Sequence, residues 1–108
     1  MTSLSGLNLP NNQLTLLPVD IGNLVNLTGL YIDNNLINVL PAQIDQLTSL
    51  KELYLAGNKL TTLPEGLIYL NVLKTLEANN NLLTALPHNL GGITSLRLLA
   101  LSNNQITC

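Results

Sequence analysis

One 23-residue unit repeats along the chain without an insertion or a deletion. Leucine returns at the same phase in five successive units, at Leu4, Leu27, Leu50, Leu73 and Leu96. Asparagine returns at a second phase, at Asn12, Asn35, Asn58, Asn81 and Asn104. Proline marks a third phase, at Pro18, Pro41, Pro64 and Pro87. Because one such unit cannot bury its apolar face alone, a strict period of this length predicts a solenoid of stacked units.

Each unit is predicted to contain one short strand and one short helical turn. Apolar and polar side chains alternate over residues 53–55, which is the period-2 pattern of a half-buried strand and turns Tyr54 outward. Pro64 follows, and proline presets the backbone φ angle for the first turn of a helix. Leu67 and Leu70 then lie three residues apart, on one face of that turn. Stacked copies would form a parallel sheet with about 4.8 Å between strands and right-handed connections.

The asparagine column described above is predicted to be structural. Its side chains are expected to face inward where the chain turns after each strand. A buried amide must be hydrogen-bonded, and both its donors and its acceptor can reach backbone groups of the same unit and of the neighbouring one. The column therefore indicates a ladder of backbone contacts and not a chemical site.

The shared unit, L-x-x-L-x-L-x-x-N-x-L-x-x-L-P-x-x-I-x-x-L-x-x, resembles the leucine-rich repeat over the whole chain. Its length and its Leu-Pro limb are similar to the 23-residue class of Ras-group and Scribble-like intracellular proteins. The resemblance implies an α/β fold, a right-handed curved solenoid with a parallel β-sheet on the concave face and short helical or 3₁₀ turns on the convex face. It also implies binding of a protein partner through variable positions of the concave sheet. Function must still be argued from the site, since the fold serves unrelated partners.

The chain departs from the family pattern in two places. Ala78 stands where other units carry leucine or isoleucine, which predicts either a thin core or one filled by Leu82 or Leu83. The other departure concerns the ends. Residues 1–108 are expected to form a single leucine-rich repeat domain whose last unit, from Leu96, is incomplete and which has no evident caps. Such ends fit a piece of a longer array, an engineered fragment or a naturally minimal domain.

Charge and composition argue against several partners. The net charge of −2 does not favour a nucleic acid, whose binding relies on phosphate neutralisation. No apolar run reaches roughly 18 residues and no basic amphipathic stretch occurs, so no membrane association is expected. The first residues lack a signal-peptide pattern, and the single cysteine cannot form an internal disulfide. A cytoplasmic location is therefore expected.

The sequence predicts a protein that is not an enzyme and needs no cofactor or metal. Its six acidic residues are spread over several columns of the repeat, with no pair in an enclosed pocket. His88 and Cys108 fall in different columns, so they cannot form a nucleophilic pair or a metal cage. Gly91 and Gly92 are an isolated pair in a helical limb and do not make a phosphate loop.

The exposed strand positions supply the candidate binding surface. Tyr31 and Tyr54 are predicted to be direct neighbours, and exposed tyrosine is a common interface anchor. Charged residues complete the predicted contact set: Asp33, Glu52, Glu77, Lys51, Lys74 and Arg97. The three basic residues form a stripe whose mutual repulsion Glu52 and Glu77 are expected to relieve. In the alternative interpretation, tyrosine simply suits an exposed strand and the charges form a solvated, self-neutralised face.

A second candidate function is self-association through the terminal units, as a dimer or a filament. The residues predicted to take part are Leu98, Leu99, Leu101, Ile106 and Cys108. Under oxidation, Cys108 could join two copies through a disulfide. Tyr69 and His88 are assigned to the helical limbs on the convex side, with a weak contact between His88 and Glu65.

Overall fold

A computed structural model describes residues 5–9, 11, 13–86, 93 and 95–104. These residues form one five-stranded parallel sheet in which the strands lie in chain order. The strands are β1 (Gly6–Asn8), β2 (Gly29–Tyr31), β3 (Glu52–Tyr54), β4 (Thr75–Glu77) and β5 (Leu98–Ala100). Each residue of the first four strands pairs with the residue 23 positions later, as Leu30 does with Leu53. The structure is thus a solenoid with the parallel sheet that the repeat predicts, and one period of the sequence is one turn of it.

The limbs that return from one strand to the next contain short 3₁₀ helices. In the described part of the chain they are η1 (Val19–Asn23), η2 (Ala42–Gln46) and η3 (Glu65–Tyr69). The sequence placed proline inside the first helical turn, and this detail is wrong. Pro18 and Pro64 precede their helices with extended backbone, at ψ 152° and 144°. Their carbonyls accept the first helical hydrogen bond, for example from the Ile21 N–H at 3.0 Å.

The core is a stack of aliphatic columns between the sheet and the 3₁₀ helices. Leu27, Leu50 and Leu73 are fully buried at the start of successive units, and Leu30, Leu53 and Leu76 are fully buried on the strands. Ile44 and Leu67 close the core from the helical side. Burying each such side chain contributes about 1.5–3 kcal/mol, so the repeat's apolar columns are the main source of stability.

The exceptional Ala78 is fully buried, and Leu83 is buried with it. Leu83 occupies the ordinary core position that Leu60 holds one unit earlier. Leu82, in contrast, is 44% exposed and stands in the column of Lys59. The prediction that Leu82 fills the space beside Ala78 is therefore wrong, because the Leu82 side chain points to solvent.

The asparagine side chains bridge neighbouring units at the turn after each strand. Asn58 Nδ2 donates to the carbonyls of Leu55 at 2.9 Å and Ile32 at 3.0 Å, and its Oδ1 accepts from the Ile37 N–H at 3.2 Å. Asn35 Nδ2 donates to the same Ile32 carbonyl at 3.0 Å. The corresponding bonds recur at Asn81 and Asn104. Asn12, the first of the column, lies outside the described residues.

The residue before each of these asparagines has a left-handed backbone. The φ angle is between 58° and 60° at Asn11, Asn34, Asn80 and Asn103 and is 73° at Gly57. Asparagine and glycine are the residues that enter this region most readily. Where two asparagines follow one another, they therefore have different roles. The first adopts the left-handed backbone of the turn, and the side chain of the second forms hydrogen bonds to the backbone.

Candidate protein-interaction surface

The parallel register lines up one residue of each strand across the middle of the exposed sheet face. This row consists of Asn8, Tyr31, Tyr54, Glu77 and Ala100. Strand side chains point alternately to the two faces, so the row lies opposite the buried leucines. The side chains of Tyr31, Tyr54 and Glu77 are all half-buried. The row therefore presents its largest side chains on three adjacent strands.

Tyr31 and Tyr54 contact each other directly. Their ring centroids are 5.0 Å apart and the ring planes meet at 79°, which is an edge-to-face pair. Such a pair contributes about 0.5–1.5 kcal/mol beyond the area that it buries. The two rings therefore hold each other in place on the exposed face.

Tyr31 is fixed further by Gly29 and Glu52. Its ring lies over Gly29, where an added Cβ would come within 2.6 Å of the Tyr31 hydroxyl and 2.8 Å of the ring. The hydroxyl donates a hydrogen bond to the Glu52 carboxylate on the next strand. This bond, helped by burial and by the charge of Glu52, raises the pKa of Tyr31 to about 12. The sequence-based predictions do not include Gly29. A glycine two residues before Tyr31, on the same face of the strand, nevertheless indicates that the ring has room to lie over the backbone.

Three carboxylates surround Tyr54. Glu77 lies beside it on β4, Glu52 precedes it by two residues on β3, and Asp33 follows β2 on the diagonal. Burial raises the pKa of the Tyr54 hydroxyl, and the charges of Glu52, Glu77 and Asp33 raise it further. The centre of the exposed sheet is therefore an aromatic surface in a negative electrostatic environment.

The Asp33 side chain also forms a hydrogen bond to the backbone where the next strand ends. Its Oδ1 accepts a hydrogen bond from the Ala56 N–H at 3.0 Å. Asn79, in the column of Ala56, accepts in the same way from the Ser102 N–H at 2.7 Å. Burial raises the pKa of the Asp33 carboxyl, and the bond from Ala56 opposes that shift. One Asp33 oxygen thus accepts a backbone hydrogen bond, and the other makes no hydrogen bond among the described residues.

The basic stripe lies along the edge of the sheet where the strands begin. Lys51, Lys74 and Arg97 follow one another through backbone bonds of 2.8 Å, and all three side chains are exposed. The sequence predicted that Glu52 and Glu77 neutralise them. Among the residues that the structure describes, however, no ion pair joins these groups. Glu52 bonds to Tyr31 instead, since the tyrosine hydroxyl reaches it across Gly29.

Among the other predicted residues that the structure describes, Leu98 alone lies on this face of the sheet, in register with Thr75 and Glu52. Tyr69 is 59% exposed on η3, away from the sheet. Leu98 and Leu99 are exposed on β5, and Leu101 is partly buried against the core. His88, Ile106 and Cys108 lie outside the described residues, and so does the contact from His88 to Glu65. At the opposite end of the solenoid, an apolar groove of about 450 Å³ is lined by Leu7, Leu14, Leu17, Ile21 and neighbouring residues.

Neither a metal-ligand cluster nor a membrane-spanning helix occurs in the described part of the chain. No group of three or more His, Cys, Asp or Glu side chains among them is placed to hold a metal ion. None of the helices in that part of the chain is long and apolar enough to cross a membrane.

A family model described as a leucine-rich repeat region matches residues 1–107. The chain belongs to the leucine-rich repeat family. Comparison with curated protein sequences gave no significant match. The sequence-based identification of the family and of its fold is confirmed, while the narrower placement in the 23-residue Scribble-like class stays a prediction.

Solved structures show the same repeat in longer proteins. A leucine-rich repeat protein of Leptospira interrogans is 40% identical with a TM-score of 0.95, over 98% of this chain and 27% of that one. An internalin from Listeria monocytogenes is 34% identical with a TM-score of 0.83, over 99% and 31%. The BIR3–SERK2 complex from Arabidopsis thaliana contains a chain that is 29% identical with a TM-score of 0.85, over 94% and 57%. The leucine-rich repeat chain thus spans between about a quarter and three fifths of these relatives.

Proposed function

We propose that this leucine-rich repeat protein binds a protein partner through its concave sheet, with Tyr31 and Tyr54 as the central anchors. The proposal rests chiefly on one observation, the fixing of Tyr31 by Gly29 below it and Glu52 beside it. A side chain that is already ordered loses little rotamer entropy when a partner arrives, which favours binding. Repeat solenoids act by presenting such extended surfaces, and their proteins typically serve as non-enzymatic interaction scaffolds.

The chemistry of the surface supports this role. Tyrosine is enriched among the residues that carry most of the energy at interfaces, because it offers a large apolar area with a polar tip. Lys51, Lys74 and Arg97 would lie at the rim, where charges affect association rate more than affinity. Glu77 adjoins the anchors on the next strand. One of the similar structures is a complex of two proteins, BIR3 and SERK2, which is consistent with a protein partner for this chain.

The test is selection of a phage-displayed library of random peptides on the immobilised protein. The double variant Tyr31→Ser with Tyr54→Ser removes both anchors, and Tyr69→Ser removes the same kind of side chain from the convex helix η3. We expect the wild type and Tyr69→Ser to enrich the same peptides, while the double variant loses them by roughly thirtyfold or more. Circular dichroism melts of all three proteins would establish that each is folded.

Unchanged enrichment on the double variant would place the contact surface elsewhere. The strongest rival surface is the exposed aliphatic pair Leu16 and Val39, which stand in one column on the limb between the asparagine ladder and the proline. A second variant, Leu16→Ser with Val39→Ser, would then be the one to lose the peptides.

A cytoplasmic location fits this function and stays a prediction.

Self-association is the second candidate function. The observation in its favour is that Leu98 and Leu99 on β5 are 48% and 40% exposed. The two side chains point to opposite faces of this strand, and exposed apolar side chains on a strand favour contact with another protein surface. A second copy of the chain is one such surface, and a concentration-dependent mass would distinguish this function from the first.

A further inference from the structure

Tyr54 occupies the centre of an acidic neighbourhood on the concave sheet. Its neighbours in the same row are Tyr31 and Glu77, and Glu52 and Asp33 complete the surroundings. On the side where the strands end, the adjoining positions are the small residues Ala56 and Gly57. Directly after Tyr54 on the exposed face, the chain therefore carries only a small side chain.

The carboxylates around Tyr54 retain unused bonding capacity. Glu77 makes no side-chain hydrogen bond to another residue in the described part of the chain. Glu52 accepts one bond, from Tyr31, and Asp33 accepts one, from Ala56. A carboxylate has two oxygens and about four lone-pair sites, so each of the three can accept at least one more donor.

No cation in the part of the chain that the structure describes satisfies this capacity. Lys51, Lys74 and Arg97 lie at the edge where the strands begin, and none pairs with an acid among the described residues. The charge of the sheet is thus divided, with a positive edge at the beginning of the strands and a negative aromatic centre. A partner that matches this division must bring positive charge to the centre.

Arginine fits the centre better than lysine. The guanidinium group is planar, so it can stack on a tyrosine ring and at the same time donate two parallel hydrogen bonds to one carboxylate. An ammonium group is a strongly hydrated point charge that does neither in the same geometry. Cation–π contacts also involve arginine more often than lysine.

From this geometry we infer that the concave sheet recognises an arginine side chain of its partner, with the guanidinium group over the Tyr54 ring and bonded to Glu77. The inference rests on the proposed function, since it names the chemistry that the same surface selects. Asp33 supplies long-range attraction from the diagonal position. Tyr31 and Glu52 hold the neighbouring ring in place and need not contact the arginine.

The peptide selection described above also tests this inference separately from the proposed function. Enriched peptides that depend on the two tyrosines and share an arginine would support both. Tyrosine-dependent peptides without an arginine would overturn the inference and leave the proposed function standing. The absence of any tyrosine-dependent peptide would overturn both.

A titration with the most enriched arginine-containing peptide gives the sharper test. Replacing its arginine by citrulline keeps the shape of the side chain and removes the charge, and we expect roughly five- to tenfold weaker binding. Glu77→Gln in the protein should weaken the arginine peptide about threefold and leave the citrulline peptide nearly unchanged. Glu65→Gln, on the exposed convex helix η3, is the matched control and should affect neither peptide.

Two results of the titration would overturn the inference. One is equal affinity for the arginine and citrulline peptides. The other is a loss with Glu77→Gln that is the same for both peptides, because that would mean a general effect on the surface and not recognition of a charge. Amide chemical-shift changes on binding of the peptide should include Tyr54 and Glu77, and changes confined to other residues would likewise contradict it.

Discussion

The hydroxyl of Tyr31 donates a hydrogen bond to the carboxylate of Glu52, a residue that stands 21 positions later in the chain but lies on the next strand. The contact joins two turns of the solenoid on its exposed face. It also fixes the orientation of one of the two aromatic side chains on which the proposed interaction depends. Several properties of the protein follow from it and from the repeat that places it.

The first prediction is that the stability of the protein falls at high pH in a Glu52-dependent way. The pKa of Tyr31 is raised from 10.0 to about 12, so the folded protein holds this proton more tightly than the unfolded chain. The stabilisation is therefore complete below pH 10 and is lost as the pH rises toward 12. Assigned tyrosine ring resonances followed by NMR should show the high pKa.

The comparison for this titration is Glu52→Ala, which should return the pKa of Tyr31 toward its ordinary value. Glu65→Ala removes an acid from the convex helix η3 and should leave the Tyr31 titration as it is. A high pKa that persists in Glu52→Ala would show that the bond is not its cause.

The second prediction concerns Gly29→Ala. The new methyl group would meet the Tyr31 ring, which must swing away from Glu52 because a side chain yields more easily than the sheet. We expect the pKa of Tyr31 to fall and binding of tyrosine-dependent peptides to weaken, while the sheet stays folded. Chemical unfolding and the Tyr31 titration measure the two effects.

Gly6→Ala is the matched control, since Gly6 pairs with Gly29 in the sheet and an added Cβ there meets nothing within 4 Å. Alanine replaces a strand glycine with a gain of about 0.5–1 kcal/mol, so this variant should be slightly more stable than the wild type. Identical behaviour of the two variants would mean that the Tyr31 ring does not rest on Gly29.

The third prediction is that Asn58→Ala destabilises the protein by about 2–4 kcal/mol. The Ile37 N–H loses its acceptor, and the carbonyls of Ile32 and Leu55 each lose one of two asparagine donors. Urea unfolding would measure the loss. Asn71→Ala, at an exposed turn, should change stability by no more than about 0.5 kcal/mol, and equal effects of the two changes would contradict a role for the ladder.

The fourth prediction tests self-association. Sedimentation from micromolar to near-millimolar concentration, with reductant present, should show a mass that rises for the wild type and stays monomeric for Leu99→Lys. Leu82→Lys is the control, because Leu82 is exposed to a similar degree, 44% against 40%, and lies in the column that already carries Lys59. A constant monomer mass for the wild type would exclude this function.

The sequence predicts most of the fold because the repeat contains the information several times over. The phase of Leu53, Tyr54 and Leu55 gives the strand and its two faces, and the register of the sheet follows from the period. The left-handed turn was missed because four asparagines and one glycine share that column, and asparagine next to asparagine gives no sign of which one turns the chain. Only Gly57, the one member of another type, indicates a backbone requirement in its own right.

The surface is less predictable than the fold because its residue types change from one repeat unit to the next. The neighbourhood of Tyr31 and Tyr54 follows from the repeat. The choice of Glu52 as a partner for Tyr31, and not for the basic stripe, depends on a side-chain orientation that Gly29 permits. No periodic pattern encodes such an orientation, since no other unit combines a glycine and a tyrosine at these two positions.

Because neighbouring units share carbonyls in the asparagine ladder, the length of this protein can change only by whole repeat units. The Ile32 carbonyl accepts from Asn35 and Asn58, and the Leu55 carbonyl accepts from Asn58 and Asn81. Excision of any 23 consecutive residues, which is one full period, would bring an equivalent asparagine to each carbonyl and close the gap. Loss of one residue fewer would instead shift every later column by one position and turn it to a neighbouring face. The asparagine ladder therefore allows the solenoid to lengthen or shorten only by whole 23-residue turns.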